Sequence, residues 1–336
     1  MSTIKTFRVS NLRTGHSAGE LGRLIVPLLL IVALAAAMSL HGYWSFKAAT
    51  LLVFAIAVRS MQLLVGASGQ VSLGHGAFFA IGAYTAGVMA MNGWAPGLAT
   101  VPAAALVAGI AGFMFGLPAV RLAGPYLALA SFALALALPQ LLKHPAFESW
   151  TGGVSGLSLD PPVSPLAFLS SDQWILLLAA CWCALLFKGV DRLLKGPCGL
   201  AWMSLRDHPA AATATGVDVA KWKAVAFAVS SGIAGAAGAL STAISSFASP
   251  DSFNIFLSLS LLVGVALAGP RYAAGSFAAA AFLVFVPDLA EKISREWTGV
   301  IYGIAMLGSV YVVPMLRRLR MRAAIDRRND SAAPRH

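Results

Sequence analysis

From Leu21 to Phe147 the chain carries neither aspartate nor glutamate. Carriers driven by proton or sodium gradients build their coupling sites from carboxylates within the membrane, so that class is poorly supplied here. Nowhere does glycine precede lysine and then serine or threonine, which removes a phosphate-binding loop and with it any ATP chemistry of the chain's own. Cysteine is scarce: Cys181 and Cys183 stand two apart in an apolar run and Cys198 follows in a polar one. Thiols so placed pack as small apolar side chains and lack the partners a metal site requires, so neither a disulfide nor a metal centre is expected. Charge itself is sparse. Charged residues form 11% of the 336 and hydrophobic ones 58%, a balance that cannot furnish the surface of a soluble domain of this length.

What is abundant is apolar sequence in long runs. Leu24–Leu40 contains no ionisable residue, and neither does Leu63–Gly74. Such stretches satisfy their backbone hydrogen bonds as helices, since hydrocarbon offers no other partner. Apolar runs between polar breaks lie near 24–41, 46–65, 74–91, 98–118, 126–142, 174–187, 224–247, 256–268, 273–286 and 299–316. The fold class is therefore an all-α, polytopic transmembrane bundle of about ten spans, some of them broken. Residues 1–23 form a polar N-terminal segment, 24–316 the membrane domain and 317–336 a basic tail. Some twenty polar residues precede the first run, which argues for a retained helix rather than a cleaved signal.

The charges orient the bundle. With a cytoplasmic N-terminus, nineteen of the 24 Lys and Arg residues fall in the inner segments 1–23, 119–125, 188–223, 269–272 and 317–336. The outer side keeps Lys47, Lys143, Lys292 and Arg295, and Arg59 lies within a span. That asymmetry is the positive-inside pattern. It puts both termini in the cytoplasm and the loop 143–173 outside. The net charge of +11 then speaks of orientation and anionic lipid, and not of nucleic acid.

Small residues recur at helical spacing. Gly109, Gly112 and Gly116 share one face, as do Ser231, Gly232, Gly235 and Gly238; missing side chains let membrane helices approach closely. Leu64-Val65-Gly66 is echoed by Leu262-Val263-Gly264, the kind of trace an internal duplication leaves. Most informative is Gly66-Ala67-Ser68-Gly69-Gln70-Val71-Ser72-Leu73-Gly74-His75-Gly76. Glycine density opens the backbone, and freed amides and carbonyls at membrane depth must line a cavity or be buried in protein. An ordinary cytoplasmic turn is the competing reading. Gly-Ala-Ser-Gly resembles the nucleophile motif of rhomboid proteases, but no mid-span histidine on a later helix follows to activate Ser68. No catalytic residue is expected. Arg59 has no acid near it in sequence; it either faces a cavity, attracting a carboxylate, or snorkels to the inner headgroups. The stretch 200–215 within the basic loop 188–223 suits a short amphipathic helix interrupted at Pro209, lying in a partner's groove or on the membrane surface.

Gly69–Tyr84, Gly124–Ala130, Thr151–Leu157 and the loop from Arg206-Asp207 through Ala211-Ala212 to Gly216-Val217 and Lys221-Trp222-Lys223 stand in one order. Together they resemble the permeases of branched-chain amino acid ABC transporters, the LivM-type subunit, over residues 45–315. The resemblance implies an ABC importer permease fold, a homologous second permease subunit, two ABC ATPase subunits that bind the ATP, and an extracytoplasmic solute-binding protein. It also implies a bacterial inner-membrane location. Gly66, Ser68, Gly69, Gln70, Ser72, Gly74 and His75, with Arg59, would lie along the translocation pathway. Arg206, Asp207, His208, Ala211, Ala212 and Gly216 would form the ATPase coupling loop, with Arg206 contacting the ATPase, and Thr151, Gly152 and Gly153 the loop on the binding-protein side. Pro209 and Thr213 stand where the family carries glutamates, and Arg59 where it is uncharged, a departure that would suit a more anionic solute. A stand-alone carrier or channel for a small organic acid or amide is the competing function.

Overall fold

A computed structural model describes residues 42–94, 97–119, 125–162, 169–269 and 272–311, with positions 39, 164 and 315. The expected first span, most of the inner turn 119–125 and the basic tail lie outside the described residues. Among those described, seven helices are long and apolar enough to cross a membrane, and two shorter apolar ones accompany them. The all-α membrane bundle is confirmed.

In chain order the helices are α1 (Tyr43–Gln62), α2 (His75–Met91), α3 (Gly97–Ala119), α4 (Pro125–Leu142) and α5 (Ser171–Lys195). Two short helices of the basic loop follow, α6 (Pro197–Asp207) and α7 (Pro209–Ala214). Then come α8 (Val219–Ser245), α9 (Ile255–Ala268), α10 (Ala273–Ile293) and α11 (Thr298–Tyr311). Side chains mark several starts. Ser170 and Gln173 make a reciprocal capping box at α5, Asp218 accepts from the Lys221 amide at α8, and Asn254 from the Phe256 amide at α9. Prolines inside α3, α4 and α10 are tolerated because neighbouring helices compensate the lost bonds.

The core is the crossing of α8 with α3 and α2. The two small-residue stripes meet face to face: a Cβ on Gly112 would lie 2.4 Å from the Ser231 Cβ, and one on Gly109 would lie 3.7 Å from the Gly232 Cα. Further along the same stripe, α2 is met as well: Gly238 abuts the Phe79 carbonyl and Gly82 abuts Gly235. Alanine and glycine, not bulk, build this centre. The echo of Gly66 at Gly264 does not produce two equivalent breaks. Gly66 sits in a widened turn, whereas Gly264 lies within α9 against Val58.

Long-range contacts sort the helix ends into two groups. At one end Lys47 pairs with Asp288, Lys143 with Asp251, and β1 (Leu157–Ser158) pairs antiparallel with β2 (Phe247–Ala248). At the other gather residues 62–70, α6, the start of α8 and the turn after α9. The basic loop is shorter than its sequence limits of 188 and 223. α5 continues to Lys195 because Phe187 and Val190 are buried and Asp191 is drawn in toward Arg59, which leaves Lys188, Arg192 and Lys195 on an exposed helical face.

Candidate functional site: a broken helix and the loop that grips it

α1 does not end in a normal turn. Its last residues widen into a π-turn, Leu63–Ala67, and non-helical backbone runs from there to α2. Such turns insert an extra residue and free backbone groups. In a continuing α-helix the Gln70 amide would bond to the Gly66 carbonyl. Here it reaches back to the Leu64 carbonyl at 3.3 Å, and Gly66 is left without that donor. Gly69, at φ +71°, makes the left-handed bend that follows.

The break is held by side chains from distant helices. The Gln70 amide group donates to the Ser68 hydroxyl at 3.0 Å and to the Lys223 carbonyl at 3.1 Å. Ser131 on α4 accepts from the Leu73 amide, Ser72 from the Gly74 amide and Ser258 on α9 from the Gly76 amide, all within 3.2 Å. Every hydroxyl here stands in for water at a helix start buried in apolar surroundings. His75 Nε2 meets the Ser230 hydroxyl at 2.7 Å, and that hydroxyl donates to the Ser60 carbonyl at 2.7 Å. A hydroxyl has one proton, so Nε2 carries the hydrogen of the first bond. Between the Gln70 contact at Lys223 and the His75 contact at Ser230 the segment climbs about 10 Å along α8. It is therefore a re-entering break and not a surface turn.

Of the expected pathway residues, Ser68, Gln70, Ser72 and His75 are buried within the single chain, as are Gly66 and Gly74; Gly69 and Val71 face outward. Ser68 donates to Leu64 and does not meet His75, so the pair has no nucleophilic arrangement. Arg59 follows neither expectation. Only 3% exposed, it reaches Asp191 on α5 at 2.5 Å and Gln62 at 3.2 Å, so its charge is neutralised inside the chain and does not call for an anionic solute. Sequence reasoning passed over Gln62, a lone amide in an apolar run. Its nitrogen donates to the Gly269 and Tyr272 carbonyls, and its oxygen accepts from Ser276 and Arg59. All four of its hydrogen-bonding positions are used, tying α1 to the α9–α10 turn.

The loop below is built around α6. Trp202 and Leu205 are buried, and the Trp202 indole donates to the Trp222 carbonyl at 3.0 Å, fixing α6 to the first turn of α8. Arg206 is turned inward: its guanidinium donates to the Gly66 carbonyl and pairs with Asp207 at 2.8 Å. α7 ends in a Schellman motif, with Gly216 at φ +85°, its amide on Thr213 and the Val217 amide on Ala212. Ala212 is buried, whereas His208, Ala210, Ala211, Thr213 and Gly216 form an exposed surface.

Thr151, Gly152 and Gly153 lie at the opposite end. The Thr151 hydroxyl lies 2.7 Å from the Leu142 carbonyl and accepts from the Gly153 amide at 3.2 Å, closing the turn after α4. Gly152, Gly153 and Gly156 all have positive φ, and a Cβ on Gly156 would lie 2.5 Å from the Ala248 carbonyl. The motif is a tight turn packed on the short sheet.

Comparison with known proteins agrees with this geometry. Residues 43–310 match the family described as the permease component of the branched-chain amino acid transport system. Two curated relatives are the high-affinity branched-chain amino acid transport system permease proteins LivM of Salmonella typhimurium and of Escherichia coli. Each is 29% identical, over 332 and 324 residues respectively, with 88% of this chain and 73% of the relative covered. No solved structure gives a significant match. A multi-pass helical bundle, a re-entering glycine-rich break and a family match spanning both the break and its loop lead to one conclusion: the chain belongs to the permease-component family of branched-chain amino acid transport systems.

Proposed function

We propose that this chain is one permease subunit of an ATP-driven importer, forming half of the translocation pathway for branched-chain amino acids or a related small solute. The observation that carries this reading is the loop Gly196–Asp218. It presents an exposed surface on α7 while its inner face is fixed by Trp202 to α8 and by Arg206 to the broken helix. A connector with no partner has no need of such an anchored, partly apolar projection. One of two ATPase subunits docks on the stretch Arg206–Gly216 through its outer residues, His208, Ala211, Thr213 and their neighbours, and the other docks on the second permease. A homologous second permease completes the pathway beside the break, where Gly69 and Val71 face outward, and a solute-binding protein delivers leucine-like solutes to the end that carries Thr151–Gly153. The loop thus lies in the cytoplasm, as do both termini, with the bacterial inner membrane as the location; the gathering of basic residues at that end supports this orientation.

Co-expression with ATPase and second-permease genes of the same cluster tests assembly. The ATPases are expected to co-purify with the tagged chain after detergent extraction, and replacing the exposed Ala211 with aspartate to reduce their recovery without altering the chain's own yield. A chain that purifies alone from cells making all partners would remove the reading.

A further inference from the structure

We infer that Arg206 is a positioning residue, a latch that joins the loop helix α6 to the carbonyl set free by the π-turn, so that displacement of α6 pulls directly on the broken helix. The inference rests on the importer reading and adds to it a single bond through which force passes.

Three observations meet at this point. The π-turn redirects the Gln70 amide to Leu64, so the Gly66 carbonyl is a buried acceptor in need of a donor, and the Arg206 guanidinium supplies it from 140 residues away. An arginine fork suits the task because it can hold a carbonyl and the Asp207 carboxylate at once, with Asp207 fixing its angle: Nε donates to that carboxylate at 2.9 Å. The passage for the side chain is left open by Gly69, where a Cβ would lie 2.7 Å from the Arg206 Cγ. Gly69 therefore serves twice, once for its positive φ and once for the arginine stem that crosses it. One turn before Arg206, α6 is fixed by Trp202 to the Trp222 carbonyl at the start of α8. α6 thus grips the end of α1 directly and the start of α2 through α8. On one side is the end of α1, and on the other is the helix whose Ser230 holds His75 at the start of α2. Losing the guanidinium leaves Gly66 without a donor and removes the direct hold of α6 on the break, so loop movement reaches it only indirectly, through α8 and the Gln70 contact at Lys223.

The test is made on the whole assembly in proteoliposomes, with the second permease, ATPases and leucine-loaded binding protein present. Wild-type protein must first take up leucine on ATP addition; if it does not, the importer reading falls and the latch is not at issue. Given that baseline, Arg206→Ala is expected to retain its ATPases on co-purification and to hydrolyse ATP. Leucine moved per ATP should fall about tenfold or more, the ratio expected from one lost charge-assisted hydrogen bond. Arg206→Lys, which keeps one donor but not the fork, should recover part of the ratio. Gly69→Ala, which leaves the arginine in place but obstructs its stem, should reproduce the loss. Co-purification lost in Arg206→Ala would make the side chain a docking contact and overturn the inference, and so would wild-type stoichiometry in Arg206→Ala or Gly69→Ala. Failure of both alanine variants to reach the membrane would make the contact a folding element, which also overturns it.

Discussion

Gly238→Leu is expected to yield no monodisperse protein. At this position a Cβ would sit 1.9 Å from the Phe79 carbonyl oxygen and 2.9 Å from the Ala83 amide nitrogen, both backbone atoms of α2. No rotamer relieves a clash with backbone, so the α2–α8 crossing must open, and the larger leucine worsens it. Ordinary overpacking costs about 1–3 kcal/mol when side chains can shift; here a whole helix must move, and the cost exceeds that range. Opening the crossing also draws Ser230 from His75 and Thr242 from the Ala83 carbonyl. Gly109→Ala is the control in the α3–α8 contact, where the new Cβ would stand 3.4 Å from the Ala228 carbonyl. Size-exclusion profiles of both variants in detergent decide the matter. Gly109→Ala should run as wild type and Gly238→Leu should aggregate, and equal profiles would place the crossing elsewhere.

Asp191→Ala has the second largest expected effect. Arg59 has 4% of its side chain exposed and Asp191 23%, so the two partners are not equivalent. Removing the carboxylate leaves a guanidinium within the bundle with, among the described residues, Gln62 and the face of Phe187 as its remaining partners. Breaking one side of a buried pair costs about 3–5 kcal/mol, and the lower end applies because the carboxylate already meets solvent. Arg59→Ala should cost less, since the orphaned Asp191 can turn outward from the end of α5. The double variant Arg59→Leu/Asp191→Leu removes both charges and should recover much of the loss. Thermal unfolding in detergent reads all three. Asp191→Ala as stable as wild type would mean that Arg59 has another counter-charge or reaches the headgroups.

The parts of this structure that rest on local pattern were legible in the sequence. Long apolar runs announced the spans, helical spacing announced the glycine stripes, and Gly66–Gly76 announced a break because its glycines and serines interrupt two apolar stretches. The helix-compatible stretch 200–215 stops just before Gly216, whose φ of +85° ends α7. Distance in sequence hid the rest. Nothing near Arg59 indicates Asp191, 132 residues on, so its charge looked free to snorkel or to meet a solute. The inward turn of Arg206 was hidden for the same reason, because its acceptor is a backbone carbonyl, and every residue has one. That Gly238 packs on α2, Gly232 on α3 and Gly235 against both depends on three helices at once. The end of α5 was misjudged because lysines and arginines read as loop when one face of a helix emerges from the bilayer. Gln62 was missed because a single amide in an apolar run shows no partner until the α9–α10 turn is folded against it.

Transport by this chain is expected to be driven from outside it, by ATP on partner subunits. The direct measurement is leucine accumulation in proteoliposomes, comparing the chain alone under an imposed proton or sodium gradient with the assembled complex given ATP. The account predicts no concentrative uptake in the first case, since α1 to α4 contain no carboxylate to couple an ion, and accumulation against a gradient in the second. Robust gradient-driven accumulation by the chain alone would contradict it.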